Sequence, residues 1–179
     1  MFSFADQLPE KYTFISARAP QKLRKDSYAW YGIDLSKKPY KYNKEDQKNS
    51  EQLILDFIDL MIEKHDLNSK EIYLLGFSQG SIMSYTIALK HPEKVKGIMA
   101  LGGRIPEEAI SNLASKEELK KVQVFIGHGK KDPVISVEDA RSANRKLTEL
   151  GITTTYVERP NMGHSIDAVI LNELINWLN

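Results

Sequence analysis

The chain contains no cysteine. Disulfides, thiolate metal sites and a cysteine nucleophile are thereby excluded, and the composition fits a reducing compartment. No apolar run approaches the roughly 18 residues of a membrane span, and the opening "MFSFADQLPE" has neither the basic segment nor the apolar stretch of a secretion signal. The sequence therefore reads as cytoplasmic, without stable membrane anchoring. Charge of one sign is also lacking: 25 basic residues against 24 acidic ones leave a net charge of +1, too weak a field to gather nucleic acid or an anionic surface. A small neutral partner is the expectation. No internal repeat or low-complexity tract is present, and no G-x-G-x-x-G follows a first strand, which sets aside a dinucleotide-binding domain.

What is present is enough apolar material for one core, 41% of 179 residues, so a single domain over residues 1–179 is expected. Runs rich in β-branched and aromatic residues alternate with helical patterns. The candidate strands are "YTFISAR" (12–18), "IYLLGF" (72–77), "VKGIMALGG" (95–103), "VQVFIGHG" (122–129) and "TTTYVERP" (153–160). Helical spacing joins Ile54, Phe57, Ile58, Met61 and Ile62, then Ala140, Ala143, Leu147 and Leu150, and finally Ile166, Val169, Ile170, Leu174, Trp177 and Leu178. Ser50, Ser136 and Ser165 stand where an N-cap would, and Gly151 where a left-handed helix end would. Strands alternating with helices predict a mostly parallel sheet flanked by helices. Residues 31–50, lysine-rich with tyrosines and a proline, read as a solvated loop.

Between Gly76 and Gly80, Ser78 sits in the pattern G-x-S-x-G, which suits a strand-to-helix turn so sharp that neighbouring side chains would clash. The context agrees, because a strand pattern precedes it and the charge-free run Ser81–Leu89 follows it. A serine at neutral pH needs a base, itself oriented by a third group. Of the four histidines, His65 and His91 fall at helix ends, where a cation suits the helix dipole. His128, at a strand end, and His164, in the loop before the last helix, are the candidates for base. In hydrolases built on this turn the chain order is serine, acid, histidine. Only His164 has a strand-end acid between itself and Ser78, namely Asp132 in "HGKKDPVIS"; Asp139 lies on the following helix and Asp167 only three residues past His164. A metal held by His128 and Asp132 would need at least a third ligand, and none is near in sequence.

These segments together resemble the phospholipase/carboxylesterase branch of the α/β-hydrolase superfamily, which includes acyl-protein thioesterases. The resemblance is carried by "ISARAP" (15–20), "AWYGID" (29–34), "LLGFSQGSIMSY" (74–85), "MALGGRIP" (99–106), "GHGKKDPVISVEDAR" (127–141) and "MGHSI" (162–166). It implies an α/β-hydrolase fold, with Ser78 as nucleophile, His164 as general base and acid, and Asp132 as its orienter. It also implies the Gln79 N–H as an oxyanion donor, with Trp30, Tyr31, Ile105 and Met162 bordering the substrate pocket. The implied reaction is cleavage of a small-molecule ester of short to medium acyl chain through an acyl-enzyme, without metal or organic cofactor. Thioester and lysophospholipid cleavage use the same machinery, and a non-catalytic binding protein of this fold is the alternative from another class. Family members normally carry, before the segment matching "YTFISAR", a strand that ends in a His-Gly loop and donates the second oxyanion N–H. This sequence starts after it, so the fold is expected to be shortened at its N-terminus. "YTFISAR" is then expected to slide beside "IYLLGF" or to pair across a two-fold axis, favouring a homodimer. The backbone around Phe2 and Ser3 is the nearest replacement donor by chain path.

Overall fold

The computed structural model describes residues 2–34, 36 and 41–179. The chain divides into two compact units, Ala17–Asn68 and the remainder, which runs up to Ser16 and again from Ser69 to Asn179. No described helix is long and apolar enough to cross a membrane.

The Ala17–Asn68 unit holds two small antiparallel pairs and one long helix. Strands β1 (Gln21–Arg24) and β2 (Ser27–Ala29) pair with Gln21 opposite Ala29, and Asp26 between them takes a left-handed φ of 60°. Strands β3 (Ile33–Asp34) and β4 (Lys41–Tyr42) form the second pair. Helix α1 (Lys44–His65) follows directly. The sequence reading needs correction here, because the helix begins well before Ser50, inside the segment expected to be loop. The Asn43 side chain accepts the N–H groups of Glu45 and Asp46, and those two carboxylates suit the positive helix start. Ser50 is buried within the helix and donates its hydroxyl to the Trp30 carbonyl. The rest of the expected loop, residues 35 and 37–40, lies outside the described residues.

The larger unit is built on a four-stranded parallel sheet in the order β5 (Tyr73–Phe77), β6 (Gly97–Leu101), β7 (Gln123–Gly129) and β8 (Thr153–Arg159). Gly76, Ala100, Ile126 and Tyr156 stand in register across it. Helix α2 (Gln79–Lys90), buried from Ser81 through Leu89, packs on β5 and β6. The short helices α3 (Glu107–Ile110) and α4 (Lys116–Leu119) lead to β7, and α5 (Val137–Glu149) and α6 (Ala168–Leu178) pack on β7 and β8. Side chains alternate faces along a strand, and on one face Met99, Leu101 and Phe125 join Ile170, Leu171, Leu174 and Leu178 of α6 in a single apolar cluster. This is the parallel, helix-flanked sheet that the alternation of strand and helix patterns predicts.

Ser136 caps α5 as expected, and Gly151 takes a φ of 81° just beyond its end. The cap of α6, however, is Asp167 and not Ser165, whose N–H is instead turned onto the Gly163 carbonyl. Residues 12–18 form no strand. Tyr12 is anchored by its hydroxyl on the Leu178 carbonyl (3.1 Å) and by an edge contact with the Tyr73 ring, while Phe14 and Ile15 are exposed. The segment does not lie as a strand beside β5 within the chain, and among the described residues β5 pairs only with β6. Phe2–Gln7 forms a short 3-10 helix.

Candidate active site

One residue separates the end of β5 from the start of α2, and it is Ser78. Its N–H still belongs to the sheet, donating to the Leu101 carbonyl at 2.9 Å, while its carbonyl already accepts the Ile82 N–H of the helix at 3.1 Å. Serving both elements forces φ to 54° and ψ to −115°, a conformation side chains rarely adopt. The same sharpness explains Gly76, since a Cβ there would collide with the backbone of Gly80 and Ser81. The turn lifts the Ser78 hydroxyl beyond the C-terminal ends of the strands.

The other two groups come from the same end of the sheet. Asp132 lies three residues past β7 and His164 in the loop between β8 and α6. The two loops are laced together, with the Lys130 N–H on the Arg159 carbonyl (2.8 Å) and the Lys131 N–H on the Met162 carbonyl (3.0 Å). Gly129 permits this closeness, because a Cβ would strike the Met162 and Gly163 carbonyls. His164 Nδ1 is 2.7 Å from Asp132 Oδ2, and its Nε2 is 2.9 Å from Ser78 Oγ. An ionised carboxylate only accepts. Nδ1 therefore carries the proton it donates to Asp132, and Nε2 presents a lone pair to the serine hydroxyl. The Phe77 ring, 4.7 Å from the imidazole centroid to centroid, backs the histidine.

The Asp132 side chain is fully buried, and its Oδ1 accepts the N–H groups of Val134 (2.8 Å) and Ile135 (3.0 Å). Burial is the largest single influence on its carboxyl and pushes the pKa up. The His164 hydrogen bond and the two backbone N–H groups prevail over it and hold the carboxyl below its ordinary value. Asp132 is thus kept as an anion facing the imidazole.

The structure brings Ser78, Asp132 and His164 together and separates the rivals. Asp139 is exposed in the first turn of α5. Asp167 caps α6 through the Ile170 N–H and pairs with Arg159 at 2.8 Å. His128 is buried with its Nε2 on the Ile135 carbonyl. Gln79 is the first residue of α2, at the positive end of the helix. Met162 is buried in the apolar cluster and Ile105 is half-buried between β6 and α3. Trp30 and Tyr31 belong to the other unit, where the Tyr31 ring packs 5.9 Å from that of Tyr42. Among the described residues no group of three or more His, Asp or Glu side chains is placed to hold a metal ion. Sequence reasoning missed the Asp167–Arg159 pair, which depends on loop conformation, and it weighed His128 with Asp132 only as a metal pair, the spacing of four residues between them being the available signal.

A family model described as phospholipase/carboxylesterase matches residues 3–179. The chain is similar to a probable carboxylesterase SOBER1-like of Arabidopsis thaliana, 30% identical over 112 residues, which are 63% of this chain and 43% of that protein. It is also similar to acyl-protein thioesterase 1 of Kluyveromyces lactis, 28% identical over 156 residues, covering 84% of this chain and 68% of that protein. Among solved structures, esterase PE8 superposes with a TM-score of 0.76 at 26% identity, over 90% of this chain and 74% of that one. The chain spans about half the length of several curated relatives it matches.

Proposed function

The chain belongs to the phospholipase/carboxylesterase family, and from that premise we propose that it is a serine hydrolase cleaving carboxylic esters of short to medium acyl groups through an acyl-enzyme. The observation that carries this reading is the continuous relay from Asp132 through His164 to Ser78, with contacts of 2.7 and 2.9 Å. Ser78 Oγ attacks the ester carbonyl as its proton passes to His164 Nε2, and the imidazolium is stabilised by the buried Asp132 anion. Charge on the carbonyl oxygen is met by the Gln79 N–H at the start of α2. Collapse expels the alcohol, which takes the proton from His164. Water, activated by the same nitrogen, then releases the acid and restores Ser78. Ile105 and Met162 are assigned to the walls that select the acyl or alcohol group.

The similarity to an acyl-protein thioesterase over most of this chain supports thioesters as a second substrate class, since the same attack serves both. The test is labelling with a fluorophosphonate probe alongside hydrolysis of p-nitrophenyl butyrate and a matched thioester. The parent is expected to label and turn over, and Ser78→Ala to do neither. Equal labelling of both would remove Ser78 from the mechanism. No labelling of a folded parent would favour a non-catalytic binding protein.

A further inference from the structure

Two histidines converge on the Asp132 carboxylate, and the mechanism uses only one of them. His164 Nδ1 lies 2.7 Å from Oδ2, and His128 Nε2 lies 3.5 Å from that same oxygen. At 3.5 Å the second contact is too long for a hydrogen bond. The partner of His128 Nε2 is instead the Ile135 carbonyl, at 2.9 Å. A carbonyl can only accept, so this nitrogen carries hydrogen. The other ring nitrogen, Nδ1, is buried without a hydrogen-bond partner, and the side chain is fully buried. An apolar residue of equal size would fill the same space without leaving a polar atom unpaired. What the imidazole adds beyond bulk is therefore the Nε2–H donor.

That donor closes a loop of contacts. His128 holds the carbonyl of Ile135, whose own N–H, together with that of Val134, is bonded to Asp132 Oδ1. With Oδ1 occupied by two backbone donors, Oδ2 is the oxygen turned to His164. The 132–135 turn fixes the plane of the carboxylate, and His128, projecting from the last strand residues before that turn, fixes the turn.

We propose that His128 is a positioning residue of the hydrolytic site, whose Nε2–H pins the Ile135 peptide and so holds Asp132 Oδ2 against His164. The inference rests on the triad reading above. It assigns His128 no contact with substrate and no proton transfer.

Glutamine and methionine are close in shape, but only glutamine offers a donor near the position of Nε2. His128→Gln is expected to keep kcat for p-nitrophenyl butyrate within about threefold of the parent, and His128→Met to lose about 10²-fold in kcat, the scale of a small misplacement of catalytic groups, with KM little changed. Because His128 acts through Asp132, His128→Met placed on Asp132→Asn should cost nothing further. Asp132→Asn alone is expected to lower kcat about 10⁴-fold. Equal activity of the Gln and Met variants, or a full additional loss in the double variant, would overturn the positioning role. A mild Asp132→Asn would instead overturn the triad reading itself. Should the substitutions prevent folding, nitrogen-15 NMR of the parent decides: the His128 ring must carry its proton on Nε2, and a proton on Nδ1 alone would end the proposal.

Discussion

Ser78 holds a backbone conformation, φ 54° and ψ −115°, that costs a residue with a Cβ about 1 to 3 kcal/mol. The cost is enforced from both sides, by the strand ladder that ends at Phe77 and by the helix that begins at Gln79. Glycine would relieve it, offset by about 0.5 to 1 kcal/mol of extra unfolded-chain entropy. Ser78→Ala and Ser78→Gly are both expected to abolish hydrolysis, with Ser78→Gly the more stable by about 1 kcal/mol in urea unfolding. Equal midpoints would show an unstrained turn. That Ser78, Asp132 and His164 would meet was legible in the sequence, because their order and their places after strand patterns leave few combinations. The second histidine on Asp132 was not, since that contact arises only when the 132–135 turn folds back onto β7.

Strands β6 and β7 were legible for a physical reason: a parallel strand buried on both faces needs a continuous apolar run, and β6 is buried at every position, whereas β8 was legible from its β-branched and aromatic residues. Residues 12–18 carry the same kind of pattern yet form no strand, because a strand exists only with a ladder partner and no local sequence signal supplies one. Helix starts were missed where a serine suggested a cap but another residue made it: Asn43 displaces Ser50, and Asp167 displaces Ser165. The Asp167 cap gives an element-level prediction. Burial raises its carboxyl most, but the Ile170 N–H and the Arg159 guanidinium prevail and hold it below its ordinary value. A carboxyl lowered in the folded state adds stability that is complete above its unfolded pKa and fades as pH falls through the folded one. Asp167→Ala is therefore expected to cost about 1 kcal/mol at pH 7, and the gap to the parent should narrow below about pH 4. Thermal unfolding of both proteins across pH 3–7 measures it, and a gap that stayed constant would deny the carboxylate its part in the cap.

For the molecule as a whole, the end of the sheet that carries Ser78, Asp132 and His164 is set by three connections leaving the same strand ends, whereas its flank is set by what pairs with β5. Ser78 donates to Leu101 and the Ile72 carbonyl accepts from Lys96, so the even-numbered residues of β5 face β6. In a parallel pair the alternate residues point the other way. The N–H and C=O groups of Tyr73, Leu75 and Phe77 therefore face away from β6, and the described residues place no further strand there. Backbone groups so placed must find water or another chain segment. Amide hydrogen exchange resolves the choice residue by residue. The amides of Leu74 and Gly76 are expected to exchange slowly and those of Tyr73, Leu75 and Phe77 faster, in strict alternation. Uniform protection along β5 that grows with protein concentration, together with a doubled mass by light scattering, would mean that a second copy supplies the pairing. Uniform protection without that dependence would place the partner within the same chain. In either case, the group seated beside β5 would also flank Ser78 at the end of the strand, where the proposed mechanism calls for a second donor to the oxyanion.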